Sequence, residues 1–268
     1  MKVAAIQMVS GMDAARNLQN ALDFIALSAD QDCELLVLPE YFCLLGARDT
    51  DKLSIAEDEG QGPLQDALRE AARRLQVWIV AGTLPLKTHQ ADRVFNACLA
   101  FNPQGQQVAR YDKMHLFAFD NGTEHYDEAR VLQAGRSPVA FDLPSRDGAT
   151  WRVGLSVCYD LRFPELYRTL QADLILIPSA FTHTTGQAHW ETLIRARAIE
   201  NQACVVAPAQ GGQHENGRRT WGHSMVVDSW GAVLGSRDVG AGLVIAELDH
   251  AAMQQRRAQL PALHHRLL

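Results

Sequence analysis

Three residues of this 268-residue chain stand where reactive chemistry is most easily built. Cys158 closes the apolar run 151–157 and lies ahead of Pro164-Glu165, a pair suited to the first turn of a helix. A thiol just before a helix N-terminus has its thiolate stabilised, which by itself narrows but does not reverse the preference for a buried core cysteine. Glu40 follows Leu35-Leu36-Val37-Leu38-Pro39 and precedes Tyr41-Phe42. A carboxylate there is partly desolvated, the environment that suits a general base. Lys113 lies in Tyr111-Asp112-Lys113-Met114-His115-Leu116-Phe117, a cation among aromatic and apolar neighbours. Each residue also has an ordinary reading: a buried core cysteine, a solvated glutamate opening a loop, a surface lysine. Their conjunction favours nucleophilic catalysis over three unrelated roles.

These residues need elements to hold them. Short apolar runs at 2–8, 34–38, 77–82, 94–101, 106–111, 138–143, 151–157, 173–177, 203–207, 223–228, 232–236 and 242–248 predict strands. Many carry Val, Ile and Leu at consecutive positions, as strands covered on both faces do. Leu64, Ala67, Leu68, Ala71 and Leu75, behind Gly62-Pro63, have helical spacing, as do Leu18, Ala21, Leu22 and Ile25. A third helix is predicted from about 187 to 202, with Trp190, Leu193, Ile194 and Ala198 along it. Asn102-Pro103-Gln104-Gly105 and Asp228-Ser229-Trp230-Gly231 have turn chemistry, which places hairpins among the crossovers. The alternation predicts a layered α/β fold with helices outside a sheet, and no linker divides residues 1–268, so one domain is expected. The run 34–39 before Glu40-Tyr41-Phe42 echoes 173–178 before Ser179-Ala180-Phe181. Buried strands resemble one another in general, but the echo also fits two pseudo-symmetric halves whose strand ends share one site.

Composition narrows the partners. With 47% apolar residues the chain can build a core, and 25 Lys+Arg against 31 Asp+Glu leave a net charge of −6. Such a chain lacks the basic field that nucleic acids and anionic membranes attract. The five cysteines are odd in number and form no CxxC pair, which fits neither a disulfide framework nor a zinc knuckle. Free thiols point to a reducing compartment, and so to the cytoplasm. No apolar run reaches the length of a membrane span, and the first one breaks at Gln7, a poor signal peptide. There is no phosphate loop and no dinucleotide fingerprint. His214-Glu215 fails as a zinc motif because position 218 is Arg, and Gly222-His223-Ser224 fails as a nucleophile elbow because position 226 is Val. Neither a metal nor an organic cofactor is expected.

The segments Leu38-Pro39-Glu40-Tyr41-Phe42, 111–117 around Lys113 and 156–166 around Cys158 resemble the three signature boxes of the nitrilase superfamily of carbon–nitrogen hydrolases. They stand in that family's order, and the similarity runs to about Asp249. The resemblance implies a four-layer αββα sandwich with pseudo-symmetric halves. It also implies a homodimer or larger homo-oligomer, with helices near the nucleophile at the interface. A further active-site glutamate is implied between the lysine and cysteine boxes, and Glu128, ahead of Gly135, fits that place. Asp127 and Glu124 are rivals, and residues 118–127 read as a loop.

For the residues themselves, the resemblance implies amide hydrolysis through a thioester. Cys158 attacks and Glu40 moves the proton. Lys113 and the Tyr159 N–H hold the oxyanion, while Glu128 orients Lys113 or the attacking group. The segments 184–200, 221–228 and Trp230-Gly231 look like the branch that contains deaminated glutathione amidases and omega-amidases. That implies a small carboxylate-bearing amide as substrate, with 2-oxoglutarate released from deaminated glutathione. Alternatives are an omega-amidase acting on 2-oxoglutaramate or succinamate, an N-carbamoyl amidohydrolase, an acyl transferase and a non-catalytic binding or regulatory member. An anionic substrate needs a cation besides Lys113. Arg162 is the candidate, with an ion pair to Asp160 or Glu165 as the competing role. Ser179, Phe181, His183, Thr184 and Thr185 are candidate pocket-lining residues, with a solvated loop as the alternative. Arg195 and Arg197 read as helix-surface or interface pairs. Cys33, Cys98 and Cys204 read as inert core residues, and Cys43 as a neighbour of the pocket.

Overall fold

A computed structural model describes residues 1–267. The first half runs β1 (Lys2–Gln7), α1 (Ala14–Asp30), β2 (Leu35–Val37), α2 (Pro63–Leu75), β3 (Trp78–Val80), β4 (Leu84–Lys87), β5 (Val94–Phe101) and β6 (Gln107–Asp112). A small ribbon follows, β7 (Ala118–Asp120) and β8 (His125–Asp127). The second half runs β9 (Val139–Pro144), β10 (Thr150–Leu155), α3 (Pro164–Leu170), β11 (Leu174–Leu176), α4 (His183–Asn201) and β12 (Cys204–Ala207). A second ribbon, β13 (Gly211–Gln213) and β14 (Arg219–Trp221), leads to β15 (Ser224–Val227), β16 (Val233–Arg237), β17 (Gly242–Glu247) and α5 (His250–Gln259).

The strands form two sheets with matching plans. In one, β17 lies antiparallel to β1, then β1, β2 and β3 are parallel, and β5 and β6 continue antiparallel. In the other, β9 lies antiparallel to β10, then β10, β11 and β12 are parallel, and β15 and β16 continue antiparallel. Helices α1 and α2 link the parallel strands of the first sheet, and α3 and α4 those of the second. The echo in sequence is therefore a repeat of architecture. Glu40 and Ser179 follow the equivalent strands β2 and β11.

Side chains along the first sheet alternate between two cores, as the pleat requires. Val3, Ala5, Leu35, Val37 and Trp78 face the second sheet and pack in one cluster with Phe141, Leu143, Trp151 and Val153. Ala4, Ile6, Leu36 and Ile79 face the other way, against Ala21 and Ile25 of α1 and Leu64 and Leu68 of α2. That completes the helix–sheet–sheet–helix order on this side. On the far side Trp190, Ile194 and Ala198 of α4 join the core of the second sheet. Helix ends follow their sequence signals. Asp13 accepts from the Arg16 N–H to cap α1, and Pro63 opens α2, where Glu57 accepts from Leu64 N at 2.6 Å.

Several expectations are corrected. Residues 118–127 are not a loop but the ribbon of β7 and β8, with register Ala118–Asp127 to Asp120–His125. Helix α4 begins at His183 and not near 187, so His183, Thr184 and Thr185 occupy its first turn. The short strands β4, β13 and β14 and helix α5 lack a long apolar run and escape a periodicity reading. Among the described residues no helix is long and apolar enough to cross a membrane.

Candidate active site

The three sequence boxes meet because each follows the C-terminal end of a strand in the facing sheets: Glu40 after β2, Lys113 after β6, Cys158 after β10. Glu40 and Lys113 are each 1% exposed at the side chain, and their Oε1 and Nζ atoms are 2.9 Å apart. The other side of Glu40 is also satisfied, Oε1 accepting from Asn96 Nδ2 at 2.9 Å and Oε2 from the Ala180 N–H at 2.9 Å. Glu40 is thus desolvated, as its apolar sequence neighbours suggest, but held by three donors from three elements. Lys113 Nζ also meets Glu128 Oε1 at 2.9 Å and Oε2 at 2.7 Å. Glu128 in turn accepts from the Tyr41 hydroxyl at 2.7 Å and the Phe117 N–H at 2.7 Å. Of the three acidic candidates, Glu128 is the one that reaches Lys113. Asp127 caps the short turn that Glu128 begins, and Glu124 sits at the rim, accepting from the Thr184 hydroxyl at 2.8 Å.

Charge balance explains how these groups titrate. Burial disfavours the Lys113 ammonium, but Glu128 and Glu40 outweigh it and hold the group well above the usual lysine range. Burial also raises the Glu128 carboxyl, yet the charge and hydrogen bonds of Lys113, with the Phe117 N–H and Tyr41 hydroxyl, bring it below its usual value. Two carboxyl groups then surround one ammonium beside Cys158. Burial and the Glu40 charge push the Cys158 thiol well up, Glu128 adds to this, and Lys113 and the Ala180 N–H only partly oppose it. This corrects the expectation of a thiolate stabilised by a helix. Helix α3 does start at Pro164, as the sequence suggests, but a 3₁₀ turn, Cys158–Arg162, separates it from the thiol. Cys158 itself takes φ of +50°, a sharp bend for a residue with a side chain. The bend is pinned by its N–H on the Pro178 carbonyl at 2.9 Å.

A pocket of about 320 Å³, its mouth included, opens over this cluster. Tyr41, Phe117, Tyr159, Phe181, Thr182 and Thr185 line it with Cys158, Glu40 and Glu128, and two guanidinium groups, Arg162 and Arg218, complete the wall. Arg162 packs over the rings of Tyr159 and Phe181, at 5.7 and 5.5 Å from their centroids, and meets His189 Nδ1 at 3.3 Å. It forms no ion pair with Asp160 or Glu165. Three expected lining residues are elsewhere, among them His183, whose ring meets that of Trp221 edge-on at 5.1 Å. Ser179 is fully buried with its hydroxyl on the Ile177 carbonyl, and Thr184 faces out toward Glu124, because the first turn of α4 points Thr185 inward instead. Arg197 pairs along its helix with Glu200 at 2.7 Å but is itself buried, and its Nε and Nη2 donate to the Leu161 carbonyl at 3.0 and 2.7 Å, bracing the turn that carries Cys158. Arg195 is the helix-surface residue expected, reaching Glu191 and the Gly231 carbonyl. Cys43 lines a small adjoining cavity, and burial pushes its thiol, like that of Cys204, up to about 12. All five cysteines are free and buried.

Sequence reasoning missed Asn96, Thr182 and Arg218. Asn96 is hidden in an apolar strand, where a lone amide was the only signal. Arg218 reaches the pocket through a hairpin loop that no periodicity marks. Among the described residues no group of three or more His, Cys, Asp or Glu side chains is placed to hold a metal ion.

Two facing sheets with flanking helices and a buried Glu–Lys–Cys cluster at their strand ends describe one class of hydrolase. The carbon–nitrogen hydrolase family model matches residues 2–258, and the chain belongs to that family. Among its relatives, the deaminated glutathione amidase of Synechocystis sp. is 40% identical over 270 residues, covering 98% of this chain and 97% of that one. The crystal structure of the C. elegans NitFhit protein superposes with a TM-score of 0.89 at 37% identity, covering 99% of this chain and 65% of that longer one. An amidase from Nesterenkonia sp., with acrylamide added at its active-site cysteine, superposes with a TM-score of 0.79 at 26% identity, covering 97% of this chain and 98% of that one.

Proposed function

We propose that this protein is a cysteine amidase that cleaves a small carboxylate-bearing amide, deaminated glutathione, through a thioester. The observation that carries the reading is the buried contact of Glu40, Lys113 and Glu128 in the pocket that holds Cys158, whose thiol burial and the Glu40 charge push up. A thiol in that state needs its proton taken during attack, and Glu40 is the adjacent base. Its carboxylate accepts the thiol proton as sulfur bonds to the amide carbon. Lys113 Nζ meets one oxygen of Glu40 and both of Glu128, and turning one N–H away from Glu128 gives it to the oxyanion. The Tyr159 N–H, at the start of its turn, has no acceptor within that turn and supplies the second donor. Collapse of the tetrahedral intermediate breaks the C–N bond, and Glu40 returns the proton to the departing amine. Water, deprotonated by the same carboxylate, then attacks the thioester and releases the acid and the thiol. Glu128 touches Lys113 alone among the reacting groups and acts as its positioning residue.

The substrate assignment rests on the full-length similarity to deaminated glutathione amidases and on the cations in the pocket wall. Arg162, on the nucleophile's own turn, faces the carboxylate of the 2-oxo acid half. The same reading makes residues 1–268 one catalytic domain. It places the protein in the cytoplasm, where five free thiols persist. It also makes it a homo-oligomer, for which two exposed apolar side chains are available, Ile199 of α4, packed at Gly231, and Trp230. Steady-state kinetics on deaminated glutathione, 2-oxoglutaramate, succinamate and an N-carbamoyl amino acid test the assignment. The highest kcat/KM is expected for deaminated glutathione, and Cys158→Ala is expected to abolish turnover while remaining folded. Preference for succinamate or the carbamoyl compound would overturn the substrate. Turnover by the alanine variant would overturn the mechanism.

A further inference from the structure

Arg218 belongs to two compartments at once. It lines the catalytic pocket and also a surface groove continuing from it, walled by Tyr41, Arg48, Asp49 and Lys52. Tyr41 stands at the junction, its hydroxyl on Glu128 and its ring beneath the Lys52 ammonium, 4.9 Å from the centroid. The Arg218 guanidinium lies 5.1 Å from the Tyr126 centroid. The hairpin that carries it is fixed to the first half of the molecule, His214 meeting the Ser10 carbonyl at 2.9 Å and Asn216 donating to the Gly46 carbonyl at 2.7 Å. Nearby Arg48 is matched by Asp51 at 3.2 Å. Among the described residues, by contrast, neither Arg218 nor Lys52 is in an ion pair, and both are held over aromatic rings. Burial shifts the Lys52 ammonium down; Glu128 and Asp49 oppose the shift, while Arg218 adds to it, a sign that the two cations feel each other. Unmatched cations that share a groove are stabilised by an anion between them.

We propose that Arg218 and Lys52 form a second anion subsite, which takes the carboxylate of the amine half of the substrate, the half that departs when the thioester forms. The inference rests on the amidase reading above. Deaminated glutathione carries a carboxylate on each side of its scissile amide, the 2-oxo acid on the acyl side and the terminal glycine on the amine side. Arg162 lies on the turn of the nucleophile, whereas Arg218 opens onto the groove leading outward, the direction a departing dipeptide needs. The site thereby selects for substrates with a charged leaving group over simple amides that release ammonia.

The test compares deaminated glutathione with its analogue in which the glycine carboxyl is a carboxamide. A charge-assisted contact of this kind is worth roughly a 10- to 100-fold preference in kcat/KM for the acid. Wild-type protein is expected to show that preference, and Arg218→Gln and Lys52→Gln are each expected to move the ratio toward one. Arg218→Lys, which keeps the charge, should retain part of it. A wild-type ratio near one, or a ratio that survives both glutamine variants, overturns the subsite. If wild-type protein cleaves neither compound but cleaves another amide, the substrate reading itself fails, and the subsite with it.

Discussion

At Cys158 the physical question is which state the sulfur occupies before substrate arrives. Burial and two neighbouring carboxyl groups against one ammonium keep it a thiol. We therefore expect no thiolate absorbance in the ultraviolet difference between wild-type protein and Cys158→Ser at neutral pH; a clear thiolate band would overturn the general-base role of Glu40. The helix expected at Pro164 is there, but it begins six residues after Cys158, and the thiolate stabilisation expected from it does not hold. It is the end of β10, not the helix, that brings Cys158 beside Glu40 and Lys113. Glu128 was harder to single out among three carboxylates within five residues. Only the turn beginning at Asp127 decides which of them points at Lys113.

Elements hold these residues through contacts between backbone groups distant in sequence. Asp160, fully buried, accepts from Val157 N at 2.8 Å, Tyr111 OH at 2.7 Å and His115 N at 3.1 Å, so the turn that carries Cys158 and the segment that carries Lys113 share one carboxylate. Gly82 does the same work by absence of a side chain. Its φ is +57°, and a Cβ there would lie 2.0 Å from the Pro39 carbonyl oxygen, immediately before Glu40. Gly82→Ala must move that backbone, at a cost of about 1–3 kcal/mol or more. We expect a lowered urea midpoint together with a fall in kcat, since the displaced peptide leads into Glu40, the proposed base. Wild-type values of both would show that the close approach is not needed. Strands with consecutive apolar residues were legible in sequence because both their faces are covered. The ribbons that carry Tyr126 and Arg218 were not, because their short strands have little apolar content and owe their place to the body of the protein.

For the whole molecule, the buried charge cluster ties stability to pH. Glu128 titrates below its ordinary 4.5, so its contribution is present above about pH 4.5 and lost as pH falls through the lower folded value. Lys113 titrates above its ordinary 10.5, so its contribution is present below that pH and lost only in stronger alkali. Urea unfolding of wild-type protein and Glu128→Gln between about pH 3 and pH 7 should show the variant less stable at neutral pH, with the gap closing in acid. A constant gap would mean that ionisation of Glu128 contributes nothing to stability. The layered α/β class, the echo between the halves and the three residues that meet at the strand ends were all readable in the sequence, because strand periodicity and strand-end position are local properties. Only the tertiary structure decided which carboxylate meets Lys113, that Ser179 and Thr184 turn away, and that Arg218 comes to the pocket from a hairpin 60 residues beyond Cys158. Those outcomes depend on how two sheets and their loops face each other across a common core, and no local pattern encodes that distance.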